Sequence, residues 1–175
     1  MVAAIGVTDI VTDAHVSGFF GHGDNPQFVI NVPSSAIWAG SAITVIHAAP
    51  AGFGGMGDLT RASRLDDVST YRFKNYQFIE NILTQHQAVS KITRLYDRVY
   101  LVSRCNMPDL TLVLIDAYEM SAEHLRNAYN RYGQFDVAYK TNSYGGITTA
   151  ATEAANSMGV GAYMLKQLIA RLYKP

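Results

Sequence analysis

The sequence predicts an α/β fold: a mixed sheet flanked by helices, preceded by a β-rich N-terminal segment. Three observations predict it. From residue 75 onward helical and strand patterns alternate in the order α-β-β-α-β-α-β-α, as in a sheet covered by helices. The run "LTLVLI" (110–115) is apolar nearly throughout, which suits a central strand covered on both faces. Before residue 70, short apolar runs alternate with Gly, Pro, Asn and Ser, and no long helical period appears.

Taken in chain order, "QFVINVP", "SAITVIHAAP" and "AGFGGMGD" read as short strands and loops punctuated by Pro26, Pro33 and Pro50. The glycine-rich "AAPAGFGGMGD" lacks the Lys-Ser/Thr ending of a P-loop and the order of a dinucleotide loop. "NYQFIENILTQHQAVSKITRLYD" places Phe78, Ile79, Ile82, Leu83, Val89, Ile92 and Tyr96 near one stripe, predicting a single helix. "RVYLVSRC" and "LTLVLID" follow as two strands, with a turn at "NMPD". Ser121 caps the next helix, Met120 and Leu125 are spaced as a hydrophobic staple, and Gly133 ends it. "FDVAYKT" is a strand, and Thr148 or Thr149 caps an alanine-rich helix that Gly159 terminates. "VGAYM" and "LKQLIARLY" close the chain as strand and helix. The change of texture puts a β-rich segment at 1–70 and the α/β core at 71–175, within one continuous domain. No internal repeat is visible. Strands without helices to cover them need the core or another chain to bury their apolar faces.

Composition narrows the function classes. With 49% hydrophobic and 16% charged residues the chain has ample material for a core and is not disordered. Fourteen basic residues balance fourteen acidic ones, so no global field draws it to nucleic acid or to an anionic membrane, while a local basic patch stays open. One cysteine, Cys105, forms neither an internal disulfide nor a cysteine zinc cluster. No uncharged apolar run approaches the ~18 residues of a membrane span, and the first residues meet Asp9 and Asp13 too early for a signal peptide. The expectation is a soluble, cytoplasmic protein.

The stretch "FDVAYKTNSYGGITTAATEAANSMGVGAYMLKQLIARL" resembles the last third of restriction-endonuclease-like domains, especially those of type IV restriction enzymes. There a strand ends in a Thr/Ser/Gly-rich loop, an alanine-rich helix follows, and a short strand leads to a final leucine-bearing helix. The resemblance implies DNA or RNA as partner. It also implies a divalent metal such as Mg²⁺, held by an acidic residue and an Asp/Glu-x-Lys on the next strand, where carboxylates bind the cation and lysine orients water. Carried onto this chain, that chemistry would fall to Asp97, Asp116 and Lys140. The motif is broken: Asp116-Ala-Tyr-Glu119 contains no lysine, and Asp136 and Lys140 stand ~13 Å apart along one strand face. The implied module is therefore catalytically degenerate.

Two further readings stand beside it. Lys140, Thr141, Asn142, Ser143 and Thr148, with the amides opening the following helix, form a loop suited to a phosphate or carboxylate, as in a small-molecule or nucleotide-binding α/β domain. The same glycines and threonines also suit a plain βα turn. Alternatively the apolar, aromatic N-terminal region serves a non-enzymatic homo-oligomeric interaction module. His15, His22, His47 and Asp24 lack metal-ligand spacing. Tyrosines near Arg126 and Arg131 suit base stacking or a protein interface, and such tyrosines more often line a core edge with the hydroxyl at the surface.

Overall fold

The computed structural model describes residues 1–21 and 23–174; His22, weighed above as a ligand, lies outside them. The chain divides into two compact units, Met1–Phe73 with Leu95–Asp97, and Lys74–Arg94 with Arg98–Pro175. Among the described residues no helix is long and apolar enough to cross a membrane.

In the first unit the backbone makes the same pass twice. β1 (Val2–Ile5), β2 (Ile10–Val11) and α1 (Asp13–Val16) are followed by β3 (Phe28–Asn31), β4 (Ile37–Trp38) and α2 (Gly40–Ala48). A third pass opens with β5 (Gly52–Gly54) and α3 (Met56–Ala62). β1, β3 and β5 pair in parallel, with Val2 opposite Phe28 and Phe28 opposite Gly52, and β2 pairs in parallel with β4. The repeat lies in the backbone alone. Ile5 stands opposite Asn31, so no sequence period announces it. Asn31 is 2% exposed, and its amide donates to the carbonyls of Val7 and Pro33 while accepting from the Val7 N–H, all at 2.9 Å. A buried amide so paired holds two successive connections together. Val11, Val16, Val29, Trp38, Ile43 and Ile46 form one core cluster of this unit, and Phe28, Ile30, Ala62 and Tyr71 form another. The helices correct the strand-only reading of the N-terminal region. "GSAITVIHA" carries Ile43, Thr44, Val45 and Ile46, whose β-branching suggests a strand, yet burial of Ala42, Ile43 and Ile46 holds it as α2.

The second unit is built on α4 (Lys74–Gln85), β6 (Val89–Tyr96), β7 (Val99–Arg104), β8 (Met107–Ile115), α5 (Ala122–Tyr132), β9 (Val137–Lys140), α6 (Thr149–Met158), β10 (Gly161–Tyr163) and α7 (Leu165–Arg171). The last residues of β6, Leu95 and Tyr96, count with the first unit. The sheet order is β10-β9-β8-β7-β6. β8 is central, as its apolar run predicts, antiparallel to β7 and parallel to β9, which is parallel to β10. The α/β class with a mixed, helix-flanked sheet is thus present in the protein.

Two local expectations are corrected. The single helix over 75–97 is α4 followed by β6, and Phe78, assigned to its buried stripe, is exposed while Tyr76, Ile79 and Leu83 are buried. The β7–β8 turn is Cys105-Asn106, with Asn106 at φ 58°, and Met107 already pairs with Arg104. Inside the unit, the buried Tyr100 hydroxyl donates to Glu80 Oε1 at 2.9 Å and accepts from the Arg94 guanidinium, which also pairs with Glu80. Burial drives the Tyr100 pKa upward, so it stays a neutral donor joining α4 to β6 and β7.

Candidate functional site

The carboxyl ends of β8 and β9 bring Asp116, Thr141 and Lys140 together. β8 stops at Ile115 because the apolar run ends there, and Asp116 emerges exposed immediately beyond it. The Thr141 hydroxyl donates to Asp116 Oδ1 at 3.1 Å, and Asn75 Nδ2 approaches the same oxygen at 3.4 Å. Parallel pairing of Ile115 with Lys140 fixes the register that makes these contacts.

Lys140 is 1% exposed. Its ammonium donates to the carbonyls of Asn142 and Tyr144, both 2.5 Å away. Desolvation lowers its pKa, and the nearby charges of Asp116 and Glu119 act the other way. The lysine is therefore a staple inside the loop, its donors aimed at main-chain oxygens and not into an open cradle.

The rest of the loop has matching chemistry. Asn142 Oδ1 accepts from the Tyr144 N–H at 2.9 Å, an Asx turn. Gly145 adopts φ 67°, and a Cβ built there would lie 2.1 Å from the Tyr118 carbonyl oxygen. That close approach lets the Met120 N–H reach the Gly146 carbonyl and the Thr148 N–H reach the Met120 carbonyl. Thr148, not Thr149, is the cap: its Oγ1 accepts from the Ala151 N–H at 3.1 Å. Ser143 is exposed at the loop tip. The predicted βα turn is present, and it is sewn to the 116–120 segment.

Asp97 belongs to the first unit, where its N–H donates to the Trp38 carbonyl at 2.8 Å. Asp116 and Lys140 belong to the second. Among the described residues no group of three or more His, Cys, Asp or Glu side chains is arranged to hold a metal ion. The donors present for a divalent cation at the β8 end are thus the Asp116 carboxylate and its neighbour Glu119, while the Lys140 ammonium is engaged by main-chain carbonyls.

Two features escaped the sequence reading. A cleft of about 650 Å³ runs along the edge strand β10, lined by Asp136, Thr152, Asn156, Tyr163, Gln167 and Arg171 among others. No spacing in the sequence marks it, because it exists only where β10 ends the sheet. The other feature is charge. The second unit holds eleven Lys/Arg against seven Asp/Glu, and the first holds three against seven, so the neutral chain divides into halves of +4 and −4. Counting charges on either side of residue 73 would have revealed most of this. No family model matches this sequence, and no curated protein or solved structure is detectably similar to it.

Proposed function

We propose that this chain is a restriction-endonuclease-like module that engages nucleic acid and is catalytically degenerate. The charge division is the observation that carries the nucleic-acid part. Lys74, Lys91, Arg126, Lys166 and Lys174 are exposed, and among the described residues none of the five is in an ion pair, so they are available to phosphates. The family part is supported by the β9-loop-α6-β10-α7 succession over the quoted stretch. Degeneracy rests on the sequestered ammonium of Lys140 and the missing lysine after Asp116.

The test is a mobility-shift titration of duplex and single-stranded DNA, paired with a cleavage assay in Mg²⁺ or Mn²⁺. Binding that weakens steeply with salt, without cleavage, is expected. Absence of binding at low salt sinks the nucleic-acid reading. Metal-dependent cleavage abolished by Asp116→Asn sinks the degenerate one.

The β10 cleft favours a second reading, a small-molecule or nucleotide site. Its volume falls within the range of ligand pockets, and the cation Arg171 lines it with the amides of Asn156 and Gln167 and with Asp136, whose carboxylate accepts from the Thr111 N–H. A nucleotide that raises Tm in the parent but not in Arg171→Ala would support it.

A further inference from the structure

We infer that the flank of α5 carries a pocket for one unpaired nucleobase, formed by Arg126, Tyr129, Asn130 and Met158; the inference rests on the nucleic-acid reading. These residues line a cleft of about 250 Å³. That is below the roughly 300–1,000 Å³ of a drug-sized ligand site and suits a single flat ring system.

Arg126, Tyr129 and Asn130 fall at i, i+3 and i+4 of α5, so they share one stripe beside the buried Leu125 and Ala128. Met158 is the last residue of α6, before the left-handed Gly159, and supplies a polarizable wall. Tyr129 is 43% exposed, which leaves ring surface open to a partner. Its ring is held by an edge contact to Phe135, with centroids 6.4 Å apart, and Phe135 itself is 2% exposed. Phe135 thus backs one side of the tyrosine ring and leaves the rest open.

Among the described residues the side chains of Arg126, Tyr129 and Asn130 make no hydrogen bond or ion pair, unlike Lys140, Asp116 and Thr141 at the β8 end. The Asn130 amide offers a donor and an acceptor side by side, which matches the edge of a base. Arg126 supplies positive charge for the attached phosphate. Stacking on the tyrosine face would provide affinity without strong base preference. A duplex keeps its bases stacked on each other, so the pocket selects single strands.

Fluorescence anisotropy of a labelled single-stranded DNA and of its duplex tests this with the full-length chain. Tyr129→Ala should weaken single-strand binding about tenfold, the loss of one stacked base, while Tyr129→Phe stays within about twofold and duplex affinity is unchanged. Equal single-strand affinity in parent and Tyr129→Ala overturns the pocket while leaving nucleic-acid binding intact. Failure of the parent to bind either DNA overturns both. Should Tyr129→Ala not fold, quenching of 2-aminopurine in the strand by the parent, relieved in Asn130→Ala, supports the pocket. No quenching at saturation overturns it.

Discussion

Replacing Lys140 with methionine separates a staple from a ligand-binding cation. Methionine keeps the length and apolar stem of the side chain but removes the ammonium that serves the carbonyls of Asn142 and Tyr144. Leaving a buried acceptor unpaired costs about 1–3 kcal/mol, and two are affected. Asn142 is half-buried and Tyr144 exposed, so water can reach part of what is lost and the low end applies to each. Removing a fully buried ammonium also relieves its desolvation, which offsets part of the cost. The expected net loss is about 1–2 kcal/mol, read as a lower midpoint of urea unfolding with an unchanged slope. DNA affinity should stay within about twofold, because the ammonium faces the loop's own oxygens. Unchanged stability with lost DNA binding would refute this reasoning and return Lys140 to the role of phosphate ligand.

Gly145→Ala should lose more than about 2 kcal/mol, combining the left-handed backbone with a Cβ placed against the Tyr118 carbonyl, whereas Gly146→Ala has open space and should cost far less; equal midpoints in urea would contradict the loop pairing. Thr148→Ala should cost about 1 kcal/mol in the same measurement, with Thr149→Ala near neutral, and a reversed order would show that the cap is misassigned. Burial and the hydrogen bond to Asp58 push the Tyr71 hydroxyl up to about 12, above its unfolded value near 10. Its stabilising contribution is therefore complete below about pH 10 and lost as the pH climbs toward 12, about 1 kcal/mol by roughly pH 11. Tyr71→Phe should flatten that alkaline slope, and an unchanged slope would exclude Tyr71 as its source.

What could be read from the residues depended on how local the determining interactions are. Ser121, with the Met120–Leu125 staple, and Gly159 at the end of α6 mark their helices because a cap is chosen within a turn. β8 was legible because burial on both faces demands a continuous apolar run. β6 was not. Val89, Ile92 and Tyr96 continue the helical spacing of α4, yet pairing beside β7 and the turn of Arg94 onto Tyr100 and Glu80 make the segment a strand, a tertiary override of the local pattern. The coil of the first unit was hidden for a different reason: its passes share backbone pairing while Ile5 and Asn31, or Phe28 and Gly52, have nothing in common. At the candidate site the sequence marked the loop and its glycine. The direction of the Lys140 ammonium depends on where Gly145 lets the chain turn back on Tyr118, and no residue spacing encodes that.

The most direct test of the nucleic-acid account is the salt dependence of DNA binding by the full chain, measured by anisotropy from about 50 mM to about 200 mM salt. Log affinity should fall linearly with log salt, with a slope of about −0.7 to −0.9 for each phosphate neutralised, and Lys166→Glu combined with Lys174→Glu should make the slope shallower. Absence of binding at low salt, or binding indifferent to salt and to both reversals, would contradict the claim that the +4 unit is a nucleic-acid surface.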